Sequence, residues 1–261
     1  MQEQGILAVS FGTSYPETRA KTIQALEQDL CARFPERRFY RAWTSGIIRR
    51  KLEKQGEHID SVDEALERIA ADGIRDLLVQ TTHMLVGEEH ALTLAALEKH
   101  KSAFSSLSFG APLLANEQDV DRLAVILERS FPDTNAENLL VFMGHGSEHL
   151  DYPVYEALEN RLHRDGFTNY CVGTVEFTPG FGPILERVRR EKPKKVILAP
   201  LMVVAGDHAI NDMAGDDPGS WRSQLQALGL ETECILRGLG EYPEIRQMYV
   251  QHAAAAVPLS L

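Results

Sequence analysis

Short apolar runs of strand type alternate with stretches of helical spacing along the whole chain, and this alternation limits the possible folds more than any single motif. The runs "GILAVS" (5–10), "RFYRAW" (38–43), "DLLVQT" (76–81) and "SLSFG" (106–110) read as strands. Between them, "PETRAKTIQALEQDLCARF" and "DSVDEALERIAADG" place apolar residues three and four apart, the helical period. The second of these opens on Asp60, an N-cap candidate, and closes on Gly73, a C-cap candidate. Strands alternating with helices predict a parallel sheet covered by helices on both faces.

The same order then recurs in "NLLVFM" (138–143), "YCVGTV" (170–175), "KVILAP" (195–200) and "ETECIL" (231–236), with "VYEALENRLHRDG" among the intervening helices. Turn formers crowd into "FPDTNAE", residues 131–137. The halves also align internally. Setting "LAVSFGTSYPETRAKTIQAL" on "LVFMGHGSEHLDYPVYEAL" lays Gly12 on Gly146 and Phe11 on His145. Setting "LVQTTHMLVGEEHALT" on "ILAPLMVVAGDHAINDM" lays Gly87 on Gly206 and Glu89 on His208. The expected fold is therefore α/β, with two similar lobes, each a four-stranded, mostly parallel sheet flanked by helices. The lobes are expected over residues 1–134 and 135–261, the last helix being able to pack back on the first lobe. Ligands of such sheets sit beyond the carboxyl ends of the strands, which predicts a site in a cleft between the lobes.

Charge and composition remove several function classes. A formal net charge of −11 argues against nucleic-acid binding, which needs a clustered basic surface. The one basic run, "RRFYRAWTSGIIRRK" (37–51), reads either as a solvated helix face plus a strand edge or as a patch for a small anionic ligand. The composition is 44% hydrophobic and 25% charged, and no apolar stretch approaches the span of a membrane helix. The amino terminus has no basic region or small-residue cleavage site, so the cytoplasm is the expected compartment. Cys31, Cys171 and Cys234 are widely separated and odd in number, which suits buried hydrophobes better than disulfides. The tail "AAAAVPLSL" reads as a frayed terminus, and a homo-oligomer is left open.

Three polar residues of the second half fall at or just after strand ends: His145, Glu176 and His208. Consecutive βαβ units bring such positions to one rim of the sheet. Two imidazoles and a carboxylate suit a divalent first-row metal, but their spacing is not that of a compact metal motif, and a loop histidine commonly serves only as a hydrogen-bonding group. The "GHGS" turn could alternatively hold an anion on backbone amides. Neither GxGxxG nor GxxxxGK[ST] is present, so no nucleotide is indicated. Ser147 beside His145 lacks the setting of a nucleophile elbow. His83 and His90 could face the site or bond locally, His149 reads as a bystander, and His58, His100, His163 and His252 read as surface residues.

"MGHGSEH", "GTVE" and above all "PLMVVAGDHAINDMAGDDPGSW" resemble the cobalt chelatases of anaerobic cobalamin synthesis, which act on sirohydrochlorin. The resemblance extends from "VSFGTS" to "GLGEYPEIRQMYV". It implies a two-lobed chelatase-like fold, an ATP-independent lyase, and a metal site of His145, Glu176 and His208. It also implies Co2+ as substrate metal and a sirohydrochlorin-type tetrapyrrole as partner. His145 is then the expected first proton acceptor, with Glu176 as a ligand that relays the proton and His208 completing the set. Because ligation needs deprotonated imidazoles, activity is expected to fall below about pH 6 to 6.5. Ser10, Phe11, Thr13, Ser14 and Glu89 are the expected substrate contacts. Two alternatives stay open: an Fe2+ or Ni2+ chelatase on the same macrocycle, and a carrier of metal or tetrapyrrole without turnover.

Overall fold

A computed structural model describes residues 4–131, 137–147 and 153–259. The strand runs form β1 (Gln4–Ser10), β2 (Arg38–Trp43), β3 (Asp76–Thr81), β4 (Ser106–Gly110), β5 (Asn138–Gly144), β6 (Tyr170–Thr174), β7 (Lys195–Pro200) and β8 (Glu231–Cys234). The helices are α1 (Pro16–Lys21), α2 (Ile23–Arg33), α3 (Gly46–Glu53), α4 (Val62–Ala71), α5 (Glu88–His100), α6 (Glu117–Ser130), α7 (Val154–Arg164), α8 (Gly182–Glu191), α9 (Trp221–Ala227) and α10 (Pro243–Ala254). A π-helical turn spans His208–Met213.

Two sheets result, with strand orders β2-β1-β3-β4-β9, where β9 is Val257–Pro258, and β6-β5-β7-β8. Every pairing among β1 to β8 is parallel. The first sheet gains a fifth strand that the sequence reading lacks: β9 (Val257–Pro258) runs antiparallel against β4. The amide of Leu259 also donates to the Leu107 carbonyl at 2.8 Å, so this part of the tail is paired rather than frayed. Two residues and a proline carry no readable alternation, and proline is acceptable at a sheet edge where its missing donor goes unused.

The chain divides into two compact units. The first takes the chain up to Ala115 together with the segment from Gly240 onward; the second is Asn116–Leu239. The division differs from the expected break after residue 134 because α6 packs on α7, where Arg161 Nε donates to Asp121 Oδ1 at 2.8 Å. In the first unit α10 packs on α2, β3 and β4.

Burial explains the central strands. Ile6, Leu7, Ala8 and Val9 of β1 are fully buried, as expected for a parallel strand with helices on both faces. Leu7 and Val9 share a core with Val62, Ala65, Leu66 and Ile69 of α4. In the second unit Val141, Met143 and Leu198 pack with Ile184 and Val188 of α8.

The structure departs from the sequence pattern at three places. Ser61, not Asp60, caps α4, through a reciprocal capping box with Glu64; Asp60 instead pairs with Arg68 at 2.5 Å. The stretch 16–34 is two helices, because Thr22 departs from helical geometry (φ −117°, ψ −84°) and its hydroxyl donates to the Thr18 carbonyl at 2.6 Å. The basic run 37–51 is not one patch. Arg37 lies at the amino end of β2, bonded to Asp76 Oδ2 at 3.1 Å and to the Gly5 carbonyl at 3.1 Å, whereas α3 starts beyond the opposite end.

Candidate functional site

β5 delivers His145 to the carboxyl rim of the second sheet, and the turn is fixed by its neighbours. The amides of Val175 and Glu176 donate to the carbonyls of Gly144 and His145, each at 2.9 Å. Gly146 has φ +94°, and its amide donates to the Tyr155 hydroxyl at 3.2 Å. Tyr155 is buried, and that burial raises its pKa, keeping the phenol neutral. The backbone is thus held from two sides while the His145 side chain stays exposed.

His208 reaches the same rim from the turn after β7 and opens the π-helical turn. Its ring centroid lies 4.9 Å from that of His145, with the ring planes at 83°. His208 Nδ1 lies 2.6 Å from Asp212 Oδ2, and His145 Nδ1 lies 3.1 Å from the Gly146 carbonyl oxygen. A carbonyl or an ionised carboxylate can only accept, so in each contact Nδ1 carries the hydrogen and, in the neutral ring, Nε2 keeps its lone pair. Two adjacent imidazoles therefore present electron pairs suited to a borderline cation or to a proton.

Glu176 joins this rim through its backbone, while its side chain is exposed. Among the described residues no three His, Cys, Asp or Glu side chains are gathered closely enough to hold a metal ion. The structure thus brings His145 and His208 together and leaves the Glu176 carboxylate outside a closed set. Phe177, next to it, adopts φ +61° and is half exposed. His149 lies outside the described residues.

In the first unit Ser10 ends β1, and Phe11, Thr13 and Ser14 lie in the turn that follows it. Ser10 is buried and accepts from the Thr82 hydroxyl at 2.8 Å, and buried Thr13 accepts from the Tyr15 amide at 3.2 Å. Phe11 is 47% exposed, and Ser14 Oγ accepts from Lys51 Nζ at 3.0 Å. Glu89 lies in the first turn of α5; its Oε2 is buried without a hydrogen-bond partner. The two turns match in detail. Gly12, like Gly146, has a positive φ (+102°), and the Phe11 carbonyl accepts from the Ser45 amide at 3.2 Å, as that of His145 does from Glu176.

Other histidines are engaged locally. His83 Nδ1 lies 2.5 Å from Thr81 Oγ1, and burial, with His90 adding a smaller push, lowers the His83 pKa to about 4. His90 stacks on Phe109, and burial lowers its pKa too. His58 contacts Glu53 and Asp60, His100 contacts Asp63, and His163 the Tyr170 carbonyl. A cavity of about 330 Å3 lined by Tyr155, Glu159, Cys171, Pro179 and Arg187 contains none of the predicted site residues. Asp212 and Tyr155 are the groups at the rim that sequence reasoning missed. Asp212 could have been found from its i,i+4 spacing to His208, whereas nothing in the sequence ties Tyr155 to Gly146.

A family model described as cobalt chelatase (CbiK) matches residues 4–258. A sirohydrochlorin cobaltochelatase of Salmonella typhimurium is 39% identical over 260 residues, covering 99% of this chain and 98% of its own length. Sirohydrochlorin cobaltochelatase CbiKC of Nitratidesulfovibrio vulgaris is 34% identical, covering 98% of this chain and 92% of its own. Among solved structures, SirB from Bacillus subtilis with Fe3+ superposes with a TM-score of 0.66 at 11% identity, over 96% of this chain and 94% of that one. CbiX, the terminal enzyme of siroheme biosynthesis in denitrifying bacteria, gives 0.56 at 18% identity, over 97% and 100%. At such identities these two structures speak for the fold alone.

Proposed function

The chain belongs to the cobalt chelatase family, and from this premise we propose that it inserts Co2+ into sirohydrochlorin in anaerobic cobalamin synthesis. The observation that carries the reading is the family match over nearly the full length, and the two open imidazoles on one rim are in keeping with it. The reaction breaks two pyrrolic N–H bonds, forms bonds from the ring nitrogens to the cation, and releases two protons. No electron is transferred and no nucleotide is needed.

Insertion is slow in water because the cation must shed its hydration shell while the ring nitrogens are still protonated. The protein can assist by replacing water with its own ligands, by holding the ring close and by taking up protons. In this reading His145, exposed and with Nε2 open, meets the macrocycle and accepts the first pyrrolic proton. His208 holds the cation beside it, and the exposed Glu176 carboxylate swings in to complete the set and neutralise charge. Phe11 packs on the ring, and Ser14 with Lys51 meets a ring carboxylate. Ser10 and Thr13, whose hydroxyls are already engaged, hold the shape of the turn. Glu89 offers its unpaired carboxylate oxygen to the same substrate. The proposed compartment is the cytoplasm, in keeping with three cysteines present as free thiols. Among the described residues no helix is long and apolar enough to cross a membrane.

Multiple-turnover metalation without ATP, with sirohydrochlorin and Co2+ in excess and followed by the absorbance of the macrocycle, tests the reading. Many equivalents per chain are expected, and arrest at one equivalent would mean a carrier. His145→Ala should lower the rate by about 100-fold or more with the fold retained. Wild-type turnover in that variant would remove His145 from the mechanism. Competition among Co2+, Fe2+ and Ni2+ at buffered concentrations reads out the metal preference.

A further inference from the structure

Asp212 neither holds the cation nor takes up a proton in the proposed reaction, yet it makes a short polar contact with His208. The pair sits at i,i+4 on the π-helical turn His208–Met213, with Nδ1 and Oδ2 2.6 Å apart. Both side chains are partly exposed, at 34% and 47%, so as a surface ion pair the contact would add little stability. Its consequence is orientation. A free imidazole exchanges its proton between two nitrogens and turns about χ2, and only one combination of tautomer and rotamer gives Nδ1–H to the carboxylate while Nε2 keeps its lone pair. The Asp212 carboxylate selects that combination, because it accepts from Nδ1 and leaves Nε2 as the donor atom.

The two imidazoles are held differently. His145 Nδ1 rests on the neutral Gly146 carbonyl at a longer 3.1 Å. A carboxylate partner places a full negative charge behind the ring and makes it a stronger donor to a cation, while a carbonyl partner orients the ring with little added charge. The asymmetry suits one imidazole that retains the metal and another that gives it up while taking a proton.

We propose that Asp212 is a positioning residue that fixes the Nδ1–H tautomer and orientation of His208 and thereby makes His208 the anchoring metal ligand, leaving His145 to exchange metal for proton. This rests on the metal-site reading given above. The pair is visible within "DHAINDM", but a sequence does not show that the two side chains meet.

The test compares Asp212→Ala, Asp212→Asn and Asp212→Glu with His208→Ala in the full-length chain. Co2+ affinity is measured by titration without macrocycle, and turnover is resolved into KM for Co2+, KM for sirohydrochlorin and kcat. Long-range 1H–15N NMR reads the His208 tautomer. Asp212→Ala should weaken Co2+ binding about 10- to 100-fold, raise KM for Co2+ without moving KM for the macrocycle, and remove the single Nδ1–H tautomer. Asp212→Asn should keep the tautomer, through its amide oxygen, with an intermediate loss of affinity. Asp212→Glu should recover part of the affinity. Unchanged Co2+ affinity in both Asp212→Ala and Asp212→Asn, with His208→Ala impaired, would overturn the positioning role while leaving the metal site standing. Unchanged affinity in His208→Ala would instead overturn the metal-site reading itself.

Discussion

A Cβ placed on Gly146 would lie 1.9 Å from the carbonyl oxygen of Glu176, so the two strand-end turns that carry His145 and Glu176 touch through bare backbone. Their hydrogen bond, from the Glu176 amide to the His145 carbonyl, fixes both positions at once. Gly146 also sits at φ +94°, where any side chain is strained. Gly146→Ala should therefore push the turns apart. We expect a loss of about 2 kcal/mol or more in urea unfolding, from combined strain and overlap, and a fall in cobalt insertion of at least about 10-fold. A variant of wild-type stability and rate would show that the turns are not held in this way.

Glu27 and Arg41 form the most buried ion pair of the first unit's described residues. Glu27 is 3% exposed and accepts from Arg41 Nε at 2.6 Å, with a second contact from the guanidinium to its other oxygen. Arg41→Ala strands the carboxylate and should cost about 3 kcal/mol in chemical unfolding. Replacing both residues with apolar ones of similar volume should recover most of the loss, since what is costly is the unpaired buried charge. Failure of the double variant to recover would assign the effect to packing.

His83 predicts a stability that depends on pH. Its folded pKa of about 4 lies below the ordinary value of 6.5, because burial disfavours the charged ring. Between these two values the unfolded chain binds the proton and the folded one does not. The contribution is complete above pH 6.5 and is lost as pH falls toward 4. Between pH 7.5 and pH 5 the protein should lose about 2 kcal/mol from this group, read from urea midpoints. His83→Asn should remove that part of the slope. Equal slopes in the two proteins would assign the dependence to other groups.

The repeated halves explain why so much of the architecture was readable. β1 and β5 hold the same place in their sheets, each between a parallel strand that follows it and another that follows later. The Thr82 amide reaches the Val9 carbonyl and the Leu201 amide the Met143 carbonyl, both at 2.7 Å. Seven residues further on stand Glu89 and His208, the pair that the sequence alignment of the halves had matched. A pattern of apolar periodicity is local, and so it survives in the sequence. β9 escaped because a two-residue edge strand has no period to read, and the helix break at Thr22 because it depends on one hydroxyl bonding back to Thr18.

By itself the sequence determined the α/β class and the places of β1 to β8, although β6 and β8 stop at Thr174 and Cys234, short of their apolar runs, since burial on two faces writes long apolar runs and helices write a spacing of three and four. It also carried the motifs that resemble a chelatase. Only the tertiary structure decided which of those residues meet: that His145 and His208 stand edge to face, that Asp212 and the Gly146 carbonyl occupy their Nδ1 atoms, and that Glu176 is tied to the rim by its amide. Such relations are set by how strand ends far apart in the chain are brought into register, and no local pattern of residues encodes a distance between them.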